Sequence, residues 1–139
     1  MKAALVDTNI LSLFFRGHPQ VVTWFQAYLV EYNTINLSII TYYEIVSGLK
    51  HRDAQKQLEQ FLAFSAQNTI VPFTQEVADI AATLYADLRK KGQPIDDIDL
   101  LIAGTAMANG LTVITQNRKH FDRIGGLDVE DWSSVSAQG

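Results

Sequence analysis

Four acids in this chain stand against apolar neighbours, and they are the residues whose type and spacing could do chemistry: Asp7, Glu44, Asp96 and Asp99. Asp96 and Asp99 are three apart at the start of an apolar stretch, which puts them on one face of a helix. Glu44 lies amid Tyr42, Tyr43, Ile45 and Val46, on what should be a substantially buried helix. A lone carboxylate taken out of water is costly unless it is protonated, paired or set on a cation. No Lys or Arg is interleaved with Asp7, Glu44 or Asp99, so a divalent cation is their simplest partner. Carboxylates, an amide and water favour hard Mg²⁺ or Mn²⁺. Each acid also has a plainer reading by itself. Asp7 suits a turn or cap, Asp96 with Asp97 an N-cap, and Asp99 the first turn of a helix dipole. Glu44 could be exposed or paired with Lys50 or Arg52, and Asn117 could be an N-cap. His18, His51 and His120 all fall in polar loop or helix-end contexts and read as surface residues, not as a catalytic pair.

What makes the acids a candidate site is the order of elements that must carry them. Residues 3–6 form a short apolar run that ends at Asp7-Thr8-Asn9, as a buried strand running into a loop does. Further strands are expected over 34–37, 69–71 and 111–115, with residues 127–132 giving at best one edge strand anchored by Trp132. Helices are expected between them. One spans 19–31 with Pro19 in its first turn; another is capped by Ser38 or Thr41 and stopped after Ser47 by Gly48. Asp53 caps the next, Thr74 caps a long one through Lys91 closed by Gly92, and a short one follows Gln116-Asn117. Strands alternating with helices predict an α/β domain with a mainly parallel central sheet in a three-layer α/β/α arrangement. Such sheets bind ligands beyond the carboxyl ends of their strands. Asp7 follows the first strand and Asn117 lies two residues past Thr115, so both converge on one sheet edge.

The chain has 139 residues, 47% hydrophobic and 19% charged, which predicts a single domain over residues 1–139. It has no cysteine, which excludes a thiol nucleophile, a disulfide framework and a cysteine-bound metal. A net charge of −4 argues against a protein that holds nucleic acid through one broad basic face. Yet eight of eleven Lys and Arg residues fall in three patches: Lys50 and Arg52; Arg89, Lys90 and Lys91; Arg118, Lys119 and Arg123. No apolar run approaches the ~20 residues of a membrane helix, and Asp7 comes too early for a signal peptide. A cytoplasmic protein without a membrane anchor is expected.

Four segments carry a family resemblance. They are Leu5-Val6-Asp7-Thr8-Asn9-Ile10-Leu11; Thr41-Tyr42-Tyr43-Glu44-Ile45 with Gly48; Asp99-Leu100-Leu101-Ile102-Ala103; and Thr115-Gln116-Asn117 with Phe121 and Gly126-Leu127. Together they resemble the PIN-domain nucleases, and most of all the VapC toxins of bacterial toxin–antitoxin pairs. The resemblance implies a catalytic set of Asp7, Glu44, Asp99 and Asn117, the last standing where many members carry an aspartate. It implies Mg²⁺, or Mn²⁺, held by Asp7, Asp99 and Glu44, with Asp96 compensating from one turn earlier. Thr8, Asn9 and Thr115 would orient the carboxylates. The implied reaction is hydrolysis of RNA phosphodiester bonds, leaving 5′-phosphate and 3′-hydroxyl ends, with a structured RNA such as tRNA as target. Arg118 and Lys119 would then hold the phosphate backbone, with Lys50 and Arg52 on the flank. A homodimer and a cognate VapB-like antitoxin are also implied. Phe14, Phe15, Trp24, Phe25 and Tyr28 offer that antitoxin an apolar surface, or else pack in the core. Gly104 stands where an alanine would be usual, with only a packing consequence expected.

Rival readings fit less well. A haloacid-dehalogenase-type phosphatase needs an aspartate where Asn9 stands, and a phosphoacceptor domain needs a lysine where Thr115-Gln116 stands. No glycine-rich phosphate loop is present. The alternative that keeps the fold is a catalytically weak RNA-binding or protein-interaction module, which predicts metal-independent binding without cleavage.

Overall fold

A computed structural model describes residues 1–134 of the chain. The expected domain over 1–139 includes residues 135–139, which lie outside the described part. The chain begins with β1 (Ala4–Val6), α1 (Thr8–Phe15), α2 (Pro19–Tyr32), β2 (Asn36–Ser38), α3 (Ile39–His51) and α4 (Gln55–Ala66). It continues through β3 (Thr69–Val71), α5 (Gln75–Lys90), α6 (Asp97–Ala108), β4 (Thr112–Ile114), α7 (Arg118–Phe121) and β5 (Val129–Glu130). The strands form one five-stranded sheet in the order β3-β2-β1-β4-β5, every pair parallel.

Alternation along the strands builds two cores. In β1, Ala4 and Val6 face one side with Ile10, Leu11, Phe25, Tyr28 and Trp132, and Leu5 faces the other with Leu100, Ile102, Ala103 and Val113. Helices therefore cover both faces, as a parallel sheet requires. Phe25 and Tyr28 are fully buried, and Phe14 and Trp24 pack against the same cluster. Of the five aromatics expected at a partner surface or in the core, Phe15 alone stays exposed.

Capping follows the sequence in part. Ser38 Oγ accepts from Thr41 N at 3.0 Å and Thr74 Oγ1 from Val77 N at 3.2 Å. Gly48 does not stop α3, which runs on to His51. A helix-interior glycine costs only about 1 kcal/mol, and the buried Leu49 just beyond it outweighs that. Asp53 does not cap α4. It adopts φ +53° and closes α3 instead, with Ala54 N bonded to Leu49 O at 3.0 Å, a Schellman turn.

Gly104 marks where α6 crosses α5. A Cβ there would lie 2.9 Å from the Val77 carbonyl oxygen and 3.2 Å from Ala81 Cβ. Backbone cannot yield as a side chain can, so Gly104→Ala is expected to cost about 1–3 kcal/mol despite its better helix propensity. A lower urea midpoint with an unchanged m-value would register it.

Candidate active site

β1 and β4 lie side by side, with Leu5 opposite Val113 and Val6 opposite Ile114. The chain leaves β1 for β2 on one side and reaches β4 on the other, so their carboxyl ends form the switch point where such sheets bind ligands. Asp7 and Thr115 are the first residues past those ends. The Asp7 N–H donates to Ile114 O at 2.9 Å, which locks the aspartate to the sheet.

Asp7 then caps α1. Its Oδ1 accepts from Thr8 N at 2.8 Å and its Oδ2 from Thr115 Oγ1 at 2.8 Å, with Asn9 Nδ2 at 3.5 Å. The Thr115 hydroxyl also accepts from Asn117 N at 2.9 Å, and Asn9 Oδ1 accepts from Gln116 N at 3.1 Å. Thr8, Asn9 and Thr115 thus tie the first and fourth strand ends together around one carboxylate. Asp7 is only 4% exposed. Burial pushes its pKa up to about 6 against the pull of the Thr115 and Thr8 hydrogen bonds, and the charges of Asp99 and Glu44 raise it further.

Glu44 reaches the cluster from α3, half-buried, with Thr8 Oγ1 donating to its Oε1 at 2.6 Å. Asp99 enters from the first turn of α6; Asn117 Nδ2 donates to its Oδ2 at 3.0 Å. Asn117 occupies the cap position of α7 without a side-chain cap, because its amide has turned to Asp99. Asp96 caps α6 by position only, is exposed, and is not among the charges that bear on Asp7.

His120 departs from its surface reading. Its Nδ1 lies 3.0 Å from Asp99 Oδ2 and 2.8 Å from Asn117 Nδ2. The spacing of Asn117 and His120, three residues on a short helix, was the available signal, since such pairs share a face. His18 instead caps α2, its Nδ1 accepting from Val21 N at 3.4 Å.

Among the described residues no Lys or Arg forms an ion pair with Asp7, Glu44 or Asp99. Lys119 is exposed on α7, and Arg118 beside it bonds Asp122 at 3.4 and 3.5 Å. On the other flank an open groove of about 870 Å³ starts at Asn9 and Glu44 and takes in Arg16 and Arg52; Lys50 does not line it. Among the described residues no three His, Asp or Glu side chains form a ready metal cage.

The PIN-domain family model matches residues 4–127. The chain belongs to the PIN-domain family. This PIN domain is 32% identical over 129 residues to Ribonuclease VapC2 of Rickettsia felis, covering 92% of this chain and 96% of that protein. It is 28% identical over 130 residues to the tRNA(fMet)-specific endonuclease VapC of Shigella flexneri, covering 93% and 97%. Among solved structures, VapBC2 of Rickettsia felis bound to a promoter DNA fragment aligns with a TM-score of 0.82 at 30% identity, over 94% of this chain and 98% of that one. The four segments that resembled VapC toxins therefore agree with whole-chain similarity and with the fold. The described residues of this PIN domain include no helix long and apolar enough to cross a membrane.

Proposed function

We propose that this PIN domain is a VapC-type toxin: a cytoplasmic, Mg²⁺- or Mn²⁺-dependent endoribonuclease restrained by a cognate VapB-like antitoxin. The observation that carries the reading is Asp7, buried at the β1–β4 switch point with the charges of Glu44 and Asp99 bearing on it. Two like charges bearing on a carboxylate that titrates near 6, with no Lys or Arg partner among the described residues, leave a place for a divalent cation. Asp7, Asp99 and Glu44 would hold it. Bound there, the ion would neutralise the scissile phosphate and lower the pKa of a coordinated water. Thr8 and Thr115 keep the Glu44 and Asp7 carboxylates aimed, and Asn117 with His120 does the same for Asp99. Water adds to phosphorus, the P–O3′ bond breaks and the 3′ oxygen takes a proton, leaving a 5′-phosphate and a 3′-hydroxyl.

A tRNA substrate is proposed because one relative is named for it, and an antitoxin partner because a similar toxin is solved as a VapBC complex. A homodimer is proposed with them. Brief expression followed by sequencing of RNA ends tests the reading: discrete Mg²⁺-dependent cuts are expected, and their absence with purified protein sinks it. Metal-independent binding without cuts would instead favour the binding-module alternative, for which the Asn117 amide in place of an acid is the best argument.

On the α7 flank, Lys119→Ala is expected to weaken RNA binding more than Arg118→Ala does, because Asp122 already engages Arg118. Replacing both should reduce the salt slope of log Kd by at most about 1.4, the value for two phosphate contacts on a single strand. Anisotropy titrations across salt concentrations measure it.

A further inference from the structure

Asp7 and Asp99 belong to one acidic cluster but are held in different ways. Asp7 stands on the sheet, its N–H bonded to Ile114 O at 2.9 Å and its Oδ2 taking the Thr115 hydroxyl at 2.8 Å. Asp99 stands on the first turn of α6, after a stretch with few bonds of its own. α5 closes locally, with Gly92 at φ +70° and Gln93 N bonded to Leu88 O at 2.8 Å. Pro94 then has no N–H to donate, and Asp96 takes the cap position of α6 without a side-chain cap bond. Helix ends short of such partners fray, and the turn at risk here is the one that carries Asp99.

The start of α6 is fixed from outside. Among the described residues one hydrogen bond reaches residues 94–97 from another segment: Arg123 Nη1 donates to Pro94 O at 2.9 Å, across 29 residues of sequence. Arg123 lies two residues past the end of α7, is half-buried, and has no carboxylate partner among the described residues. Asp122 beside it bonds Arg118 instead. Apolar packing follows the same line, since Phe121 and Ile124 share a core cluster with Ile95 and Leu100, which flank the first turn of α6. The segment around α7 therefore touches the supports of both acids. At its near end Asn117 N bonds the same Thr115 hydroxyl that donates to Asp7. In its middle Asn117 Nδ2 and His120 Nδ1 each lie 3.0 Å from Asp99 Oδ2, and at its far end Arg123 grips the entry to α6.

Resting on the ribonuclease reading, we infer that Arg123 is a positioning residue for Asp99. Through the Pro94 carbonyl it fixes the start of α6 against α7, and so sets the separation of Asp7 and Asp99 across which a divalent cation would be held. Ligands left loose by a lost outer contact bind a metal more weakly.

Arg123→Ala and Arg123→Lys test this in the intact protein. The first probe is Mn²⁺ alone, its binding followed by water-proton relaxation without RNA. Arg123→Ala is expected to bind Mn²⁺ about tenfold more weakly, the low end for losing a group that orients a metal ligand. Arg123→Lys keeps a donor for Pro94 O and should recover most of that affinity. In Mg²⁺-dependent cleavage the Ala variant should lose about tenfold in kcat, with KM for RNA changed less than about twofold. Its affinity in EDTA for a labelled RNA of about 12 nucleotides should match wild type. Unchanged Mn²⁺ affinity in Arg123→Ala overturns the inference; combined with weaker RNA binding in EDTA, it assigns Arg123 to the phosphate backbone. Equal loss in the Ala and Lys variants overturns it too, as does a wild type that takes up no Mn²⁺. A wild type that binds Mn²⁺ in an Arg123-dependent way but never cuts RNA sinks the ribonuclease reading alone. One that cuts while Arg123→Ala keeps its Mn²⁺ affinity and kcat sinks the Arg123 inference alone.

Discussion

Asp7→Asn is expected to abolish RNA cleavage and at the same time to make the protein more stable. The loss of activity should reach roughly a hundred- to a thousandfold, the scale of removing one preorganised polar group at a reacting centre. The gain in stability follows from the Asp7 pKa, raised from 3.8 to about 6 mainly by burial. Below the unfolded value both states hold the proton and Asp7 contributes nothing to the pH dependence. As pH rises past it, the unfolded chain ionises first while the folded one keeps its proton, so stability falls until the folded carboxylate ionises near 6. The difference amounts to ~3 kcal/mol, then stays constant at higher pH.

Asparagine removes that penalty. Its oxygen can still accept from Thr8 N, but its amide would face a Thr115 hydroxyl that already accepts from Asn117 N, a loss of about 1 kcal/mol. A net gain of about 1–2 kcal/mol, or about 5 °C in Tm, is therefore expected at neutral pH in EDTA. Thermal melts of both forms between pH 4 and 8 check it: the wild type should lose stability across that window and the variant should show a flatter profile. Added Mg²⁺ should raise the wild-type Tm by mass action and leave the variant nearly unmoved. A variant less stable than wild type throughout the range would mean that the Asp7 hydrogen bonds outweigh its burial.

Trp132→Ala is expected to be the most destabilising single truncation, at about 3–5 kcal/mol. The indole is 1% exposed. It stacks on Trp24 with centroids 5.8 Å apart, meets Phe25 edge-on at 5.6 Å and lies 5.6 Å from Tyr28. Truncation leaves a cavity walled by rings too bulky to collapse into it. The damage reaches the site as well, because the Tyr28 hydroxyl accepts from Ala4 N at 3.0 Å and so holds β1, whose next turn presents Asp7. Trp132→Phe should cost much less. Trp132 Nε1 is buried with no hydrogen-bond partner among the described residues, so replacing it forfeits packing volume but no hydrogen bond. Urea unfolding of the three proteins measures the order; equal midpoints for the Ala variant and wild type would remove Trp132 from the core.

Local patterns were enough to lay out this protein's architecture. Short apolar runs marked the strands and three-to-four apolar spacing the helices, and their alternation dictated a parallel sheet, because parallel strands need crossovers. The same patterns placed Asp7 and Asn117 past the ends of strands that turned out to be neighbours. Where two local signals competed, tertiary packing chose. Gly48 and Asp53 both carried helix-boundary signals, and burial of Leu49 decided which one closed α3. Three things lay beyond the sequence because they depend on distances between segments remote along the chain. One is that Glu44 and Asp99 are near enough to act on the charge of Asp7, while Asp96, one turn away, is not among the charges that do. Another is the turn of the Asn117 amide from a cap to Asp99, with His120 beside it. The last is the approach of Arg52 Nη1 to within 3.6 Å of where a Gly48 Cβ would stand, one turn from Glu44. Residue type and spacing decide which side chains can reach a place; only the packed helices decide which of them meet there, since a shift of one ångström separates a hydrogen bond from none.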